Sequence, residues 1–596
     1  MKKIFLPLAV LLALAACQKD DEALTEHPRY VYTLDNVFST ADQVDQALTS
    51  CYSAIRTLYL SGDDWMGWAF TGSSGTDMYD VPYDRNMFTF NDYTIVNPTH
   101  TVFSTIFRRF YELAAAANMV LYSAELPQIQ WGSDAKKAYC LAQAKFFRAW
   151  AFRCLGELYG GVPIVDKVHT AATFDFKRDS REAVYLFAIE DLETALTDLP
   201  EAPEETGRVS RGAAYHCLAE LYLALGTEYA DLGRAEEGRA AFERSVYYAN
   251  QVIDHSVHHL MTERFGKRSN EGPVFYYAKD KASQTPQHTY ASAGVDLPGN
   301  VFWDMFQDDN INYSDGNFEN LYVIQIDYTA HKTNDRDGSN FRGSVMRDPR
   351  EFGPRLNLAA SSYIDGDMED RGGRCVTFVM PTMYTRDLIW QGEWADDMRN
   401  SETCFRRTFL GNIPGTKYYG KPIPWSVFYR EGGNLDSVQA GECDAFPISC
   451  KITTDRFVGL EDGQRREYLF RDKAVIRLAE TILVRAEAKL RSGDAPGAAS
   501  DINLLRDRAQ CSHRVSAAEM DIDLILDERA RELMYEETRW TTLMRLGGTK
   551  AKERIMKYAY WDLPRKTITK DFNLWPIPQS FIDANKDAVI EQNPGW

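Results

Sequence analysis

The sequence predicts a predominantly α fold: a tetratricopeptide-like helical scaffold with an inserted loop-rich capping lobe. Three observations predict it. Apolar residues recur at spacings of three and four from Ser39 to Asp254, separated by short breaks with Gly, Pro or Asp, the pattern of an array of amphipathic helices. That period fades between Asp254 and about Ala474, where Gly, Asp, Asn, Pro, Tyr and Trp fill stretches such as "DLPGNVFWDMFQDDNINYSDGNFENLYVIQIDY". It returns in "ETILVRAEAKLRSGDAPGAASDINLLRDRA", so a long irregular segment interrupts a helical chain and reads as an insert. The short apolar runs and aromatics of this segment exclude a disordered linker. The division is residues 1–16, 17–34, 35–255, 256–474 and 475–596: signal peptide, tether, first scaffold part, insert and C-terminal helices.

At the N-terminus, Lys2 and Lys3 precede an apolar run from Ile4 to Ala16 that is short for a bilayer span, which reads as a secretory signal. Leu14-Ala15-Ala16-Cys17 has the form of a bacterial lipobox. Cys17 then becomes a lipidated first residue, and its acyl chains hold the protein to a membrane at about 0.8 kcal/mol per buried methylene. The formal charge of −19 and pI near 5.1 argue against nucleic acid or an anionic membrane surface as partner, since both would repel the chain.

Ser39 leads the first helical segment, "STADQVDQALTSCYSAIRTLY"; after an aromatic gap come "VFSTIFRRFYELAAAANMVLYSAE", "DAKKAYCLAQAKFFRAWAFRCLGELYG" and "SREAVYLFAIEDLETALTDLP". In "RGAAYHCLAELYLALG", Tyr215, Leu218, Ala219 and Tyr222 fit the first helix of a tetratricopeptide pair, and Gly238, Phe242 and Ser245 fit the second. Ala486, Gly493, Ala498 and Ile502 repeat these offsets far downstream, with Asp494 and Pro496 placed to start the second helix. Small residues at these positions let neighbouring helices approach closely. In "DERARELMYEETRW" the pairs Asp527–Arg531 and Glu536–Arg539 lie four and three apart, while Leu533, Met534 and Trp540 form a buried stripe; this reads as a salt-bridged scaffold helix. Of ten cysteines, Cys51, Cys140, Cys154 and Cys217 fall on helix faces as small apolar residues, whereas Cys375, Cys404, Cys443 and Cys450 gather in the insert and could pair after export in a connectivity that the sequence leaves open.

With these parts placed, the chain resembles the SusD/RagB family of Bacteroidota outer-membrane lipoproteins. The resemblance is carried by Cys17 and its lipobox, "FSTADQVDQALTSCYSAI", "RRFYELAAAANMVL", "AQAKFFRAWAFRCLGELYGGVPIV", "VIRLAETILVRAEAKLRSG", "ILDERARELMYEETRWTTLMRLG" and "LWPIPQSFIDANKDAVIEQNPGW". "PTMYTRDLIW" with "DDMR", and the "QKDDE" after Cys17, are similar to family features too, the latter to a surface-export tract. The insert matches least. The resemblance implies a lipid-anchored protein on the outer membrane, exposed at the cell surface, that captures oligosaccharides, or in some members peptides, for a SusC-like TonB-dependent transporter, without catalysis or cofactor.

A glycan binder needs flat aromatic faces for the C–H surfaces of sugar rings and polar side chains for the hydroxyls. The gap "GDDWMGWAFTGSSGTDMYDVPYDRNMFTFNDY" offers Trp65, Trp68, Tyr79, Tyr83 and Tyr93 beside Asp77, Arg85, Asn86 and Asn91, with Trp65 or Phe88 expected to pin the loop. The family's ligand arc draws on this loop and on the insert, where Tyr290, Trp303 and Tyr313 are candidates and Trp390 and Trp394 reserves. Phe302 and Phe306 beside Trp303 equally suggest a core stripe.

Enzymatic readings find little support. The 86 Asp and Glu residues make carboxylate pairs uninformative for glycoside hydrolysis. His255, His258 and His259 lack HExxH and read as a solvated helix end. "NDRDGSN" around Asp335 and Asp337 leaves a structural calcium open, though Ser344 stands where the bidentate Glu would be. Walker and GxGxxG loops are absent, and "TGSSGT" misses the nucleophile-elbow spacing. Two rivals to a glycan binder are a tetratricopeptide scaffold for protein assembly and a glycoside hydrolase; peptide or glycopeptide capture stays open within the family.

Overall fold

A computed structural model describes residues 34, 36–60, 68–81, 90, 92–275, 288–327, 346–356, 360–364, 375–428, 445–454 and 470–596, with backbone only at 69, 70, 275 and 288. Cys17, Trp65, Tyr83, Arg85, Phe88, Asn91, Asp335, Asp337 and Cys443 lie outside them.

The helices of eight or more residues are α1 (Ala41–Tyr59), α2 (Thr101–Ala124), α3 (Asp134–Tyr159), α4 (Arg181–Ala195), α5 (Arg211–Asp231), α6 (Ala235–Ile253), α7 (Leu478–Arg491), α8 (Ala495–Arg508), α9 (Ile522–Leu533), α10 (Arg539–Leu546) and α11 (Lys550–Tyr558). Six of them, α1 to α4, α8 and α9, start at a side chain that accepts from an orphan backbone N–H group. Thr40 and Gln43 form a reciprocal capping box at α1, the Ser133 hydroxyl accepts from Lys136 N at 3.2 Å, and the Asp494 carboxylate accepts from Gly497 N at 2.8 Å.

Each helix from α1 to α8 packs on the next, and α6 packs directly on α7 although more than two hundred residues separate them in sequence. The helical array is therefore continuous across the insert. Within the α5–α6 pair, a Cβ on Gly226 would lie 2.5 Å from the Phe242 ring and 3.0 Å from the Gly238 carbonyl oxygen, which is why the pattern needs small residues there. The Ser245 hydroxyl bridges the same seam by donating to Ala219 O at 2.7 Å.

The insert is built from short pieces around several small cores rather than one separate core. Its longest strand, Asn320–Ile324, pairs antiparallel with Lys473–Arg477, which leads straight into α7. Leu321, Tyr322 and Ile324 consequently join the scaffold core, with Tyr322 edge-on to Trp150 at 5.6 Å. A second core gathers Phe352, Tyr384, Trp390 and Phe405 against Ala530, Met534 and Tyr535 at the end of α9. The terminal "QNPGW" closes the other side: Asn593 Nδ2 donates to Tyr159 O at 2.9 Å and Trp575 O at 2.7 Å, and Gln592 bonds both backbone groups of Ile577.

The charges of "DERARELMYEETRW" depart from the expected surface pairs. Asp527 binds Arg554 at 2.9 Å, Arg531 binds Glu528 at 3.0 Å, and Glu536 takes Arg477 at 2.8 Å, while Arg539 turns to Asp77. Helix α9 ends at Leu533 and Tyr535 sits at φ 65°, so Glu536 and Arg539 share no helix face. Arg531 and Arg539 are buried, and Asp527 and Glu536 are half-buried. Glu532, with no exposed surface, receives Arg477 at 2.6 Å, Arg399 at 2.7 Å and Arg508, and Arg477 and Arg508 also share Glu319. His258 likewise departs from a solvated helix end: it is 2% exposed, its Nδ1 meets Phe318 O at 3.1 Å, and burial depresses its pKa to about 4, so the ring is neutral.

Gly226→Ala is expected to lower stability by about 1–3 kcal/mol through overpacking. Phe242→Leu added to it should recover part of that loss, as urea denaturation of the single and double variants would measure.

Candidate ligand-binding surface

The aromatic gap after α1 is not a surface loop throughout. Between Trp68 and Val81 the chain runs through a one-turn helix (Trp68–Thr71) and tight turns into the strand Tyr79–Asp80, which pairs antiparallel with Met380–Pro381 of the capping lobe. On one side it rests on the C-terminal helices: Trp540 N donates to Gly72 O at 2.9 Å, Trp540 Nε1 to Ser74 O at 2.9 Å, and the Ser73 hydroxyl to Glu537 O at 3.0 Å. On the other, the Thr382 and Thr385 hydroxyls donate at 2.8 Å to Asp77 O and Met78 O. Gly75, at φ 70°, leaves room for Phe90, whose Cβ a side chain there would strike at 2.0 Å.

Three expected ligand residues are therefore corrected to anchors. Trp68 is fully buried, edge-on to Phe110 at 5.6 Å and Trp575 at 6.1 Å. Tyr79 is fully buried against Phe352 and Tyr535, its hydroxyl accepting from Tyr535 N at 2.7 Å. Asp77 receives both Arg539 nitrogens, at 2.9 and 2.8 Å, and Arg554 Nε at 2.9 Å. Burial opposes its charge, but the two guanidiniums outweigh it and hold the carboxyl down at about 2. None of the three has a face left for a sugar.

The insert candidates divide similarly. Tyr290 is 3% exposed, with its hydroxyl accepting from Arg406 at 2.7 Å and that guanidinium 4.6 Å over its ring. Trp303 lies in an apolar core with Phe302 and Phe306, the alternative its flanks suggested. Trp390 is buried and donates to Thr385 O at 3.0 Å, and Trp394 is covered by Arg531 and Arg506, at 3.2 and 3.5 Å from its ring. Tyr313 differs: half-buried, it joins Arg208, Asn312 and Tyr322 in lining a small hollow of about 90 Å³, beside a second of about 210 Å³ that Tyr52, Arg56 and Gln325 line.

Where the anchored segment ends, a surface that sequence reading missed comes into contact with it. Asp80 accepts from Tyr560 N at 2.5 Å and Trp561 N at 3.2 Å, and Trp561 Nε1 donates to Val81 O at 3.0 Å. Around this tie lie half-buried Tyr560, under Arg386 at 5.6 Å, and half-buried Tyr558, stacked on Tyr384 at 4.1 Å. Amphipathic rings beside a guanidinium and the partly exposed Asp387 offer both halves of sugar recognition. The signal was Tyr560 in "KYAYW", an aromatic just past the end of α11 at Tyr558. The undescribed stretches 61–67 and 82–89, which carry Trp65, Tyr83 and Arg85, thus begin and end at buried residues: Leu60 and Trp68, Val81 and Phe90.

Removing the Asp77 carboxylate leaves Arg539 and Arg554 buried without it, so Asp77→Ala should cost about 3–5 kcal/mol in urea denaturation. Asp80 has the opposite sign: burial pushes its pKa from 3.8 to about 7, so the folded state holds that proton more tightly than the unfolded chain. Its contribution is full below pH 3.8 and lost as pH rises to about 7. Asp80→Asn should match the parent near pH 4 and exceed its thermal midpoint above pH 7, a gap that melts across this range would trace.

Two family descriptions match the chain: "Starch-binding associating with outer membrane" over residues 32–223 and "SusD family" over residues 451–596. It is similar to the starch-binding protein SusD of Bacteroides thetaiotaomicron, 32% identical over 164 residues that span 24% of this chain and 28% of that protein. SusD-like protein P2 of Formosa agariphila is 23% identical over 99% of this chain and 98% of its own. Among solved structures, a SusD homolog from Bacteroides thetaiotaomicron gives a TM-score of 0.65 at 17% identity, covering 94% of this chain and 98% of that one. Surface glycan-binding protein A from the same species, in complex with laminarihexaose, gives 0.63 at 18% identity, covering 93% and 99%. Likeness at these identities shows a shared fold. Joined to the family matches over both ends of the scaffold, it leads to one conclusion: the chain belongs to the SusD/RagB family.

Proposed function

We propose that this protein is a non-catalytic, lipid-anchored protein of the cell surface that binds oligosaccharide or polysaccharide and passes it to a TonB-dependent outer-membrane transporter of the SusC type. The observation that carries the reading is the anchored segment Trp68–Val81, which ties the helical scaffold to the capping lobe. The aromatic stretches 61–67 and 82–89 join it at Trp68 and at Val81, and its Val81 end is tied to Tyr560 and Trp561. Stacking rings and short polar side chains grip a neutral glycan without a catalytic group, and buried anchors reduce the entropy lost on binding. Family members named for starch binding, and a glycan-binding structural neighbour holding laminarihexaose, support a glycan as ligand. The lipobox Leu14-Ala15-Ala16-Cys17 supports the lipid anchor. Among the described residues no helix is long and apolar enough to cross a membrane.

The test is affinity electrophoresis of the mature protein against a polysaccharide panel that includes starch and laminarin, followed by calorimetry on the best ligand. Trp65→Ala with Tyr83→Ala should weaken binding by about tenfold or more, the loss of at least one stacking hot spot, at an unchanged melting temperature. Release of new reducing ends by the purified protein would overturn the non-catalytic reading. Binding of peptides but of no glycan would overturn the choice of ligand.

A further inference from the structure

We propose that Cys404 and Cys450 form a disulfide under oxidising conditions, a covalent staple inside the capping lobe. The strands Phe405–Arg406 and Ile448–Ser449 are antiparallel, with Phe405 opposite Ser449 and Arg406 opposite Ile448. Continuing that register by one residue sets Cys404 opposite Cys450, and Cys450 N donates to Cys404 O at 2.8 Å. Residues directly opposite in an antiparallel pair have Cα atoms about 4.5–5.5 Å apart, inside the roughly 4.4–6.8 Å that a disulfide spans.

The side chains lie on the same side. Both are buried in one apolar cluster with Met261, Val301, Phe302, Trp303, Met305 and Phe306, and each thiol shifts the ionisation of the other. Cys404 Sγ also donates to Asn300 Oδ1 at 3.3 Å. Hydrogen bonds hold the Cys404 thiol below its usual pKa against the effect of burial, while burial and its neighbour push Cys450 up. Before the core closes either thiol can attack first, and the crosslink formed is the same.

The chemistry is thiol–disulfide exchange with a disulfide-bearing oxidant, an oxidase of the export compartment or a small-molecule disulfide. With Cys404 first, its thiolate attacks one sulfur of the donor, whose S–S bond breaks as a mixed disulfide forms. Cys450, having released its proton to solvent, attacks Cys404 Sγ, and the donor leaves reduced, taking up the two protons that the cysteines lost. The inference is independent of the ligand reading.

The experiment refolds the full mature chain with oxidised glutathione, alkylates the remaining thiols and digests with trypsin plus a protease that cuts before Asp. Trypsin isolates Cys404 on residues 400–406, and cleavage before Asp444 separates Cys450 from Cys443, leaving it on residues 444–451. The expected result is one species joining these two peptides, lighter by two hydrogens than their sum, together with a melting temperature that falls on reduction. Cys404→Ser should lose both the crosslink and the response to reductant. Alkylation of both cysteines, a glutathione adduct on either without the crosslink, or pairing of either with another cysteine would overturn the proposal.

Discussion

Three guanidiniums reach the carboxylate of Glu532, and they come from separate parts of the chain: Arg399 from the insert, Arg477 from the strand that leads into α7, and Arg508 from α8. Glu319 bridges Arg477 and Arg508 from the insert's own strand. Charges without accessible surface tolerate no missing partner, because the desolvation of each is repaid only by the full set. The positive neighbours accordingly hold Glu532 well below the usual carboxylate range despite its burial. The consequence is geometric: the insert has one way to sit on the helices.

A second charge cluster performs the same task at the first gap. Asp77 holds Arg539 and Arg554 from α10 and α11, and the hydroxyls that bind the backbone around it come from Thr382 and Thr385 of the capping lobe. Scaffold, gap and lobe therefore meet at one carboxylate. A glycan-binding surface built on rigid anchors loses little conformational entropy on binding, which matters where each stacked ring contributes only a modest amount.

The helical array was legible because its signals are local. Period, cap and small-residue offset act within one or two turns, so Asp494, Gly238 and Ala486 could be placed from their neighbours alone, while the cap of α1 fell at Thr40, one residue past Ser39. The terminal "QNPGW" was legible as a motif, and its Gln592 and Asn593 serve backbone groups of Tyr159, Trp575 and Ile577. The candidate site was legible only as a region. In a non-periodic stretch, an aromatic that stacks on sugar and one that anchors the loop have the same local sequence, and Trp68 and Tyr79 proved to be the second kind.

By itself, the sequence determined that this is a helical array with an irregular insert, where its helices start, and which small residues let them touch, since each depends on neighbours within a few residues. The tertiary structure alone decided which charges are buried together, that Asp77 is an anchor, and that Tyr558 and Tyr560 border the end of the anchored gap. Those outcomes join residues hundreds of positions apart, and the partner of a buried charge is chosen by distance in space, which no local pattern encodes.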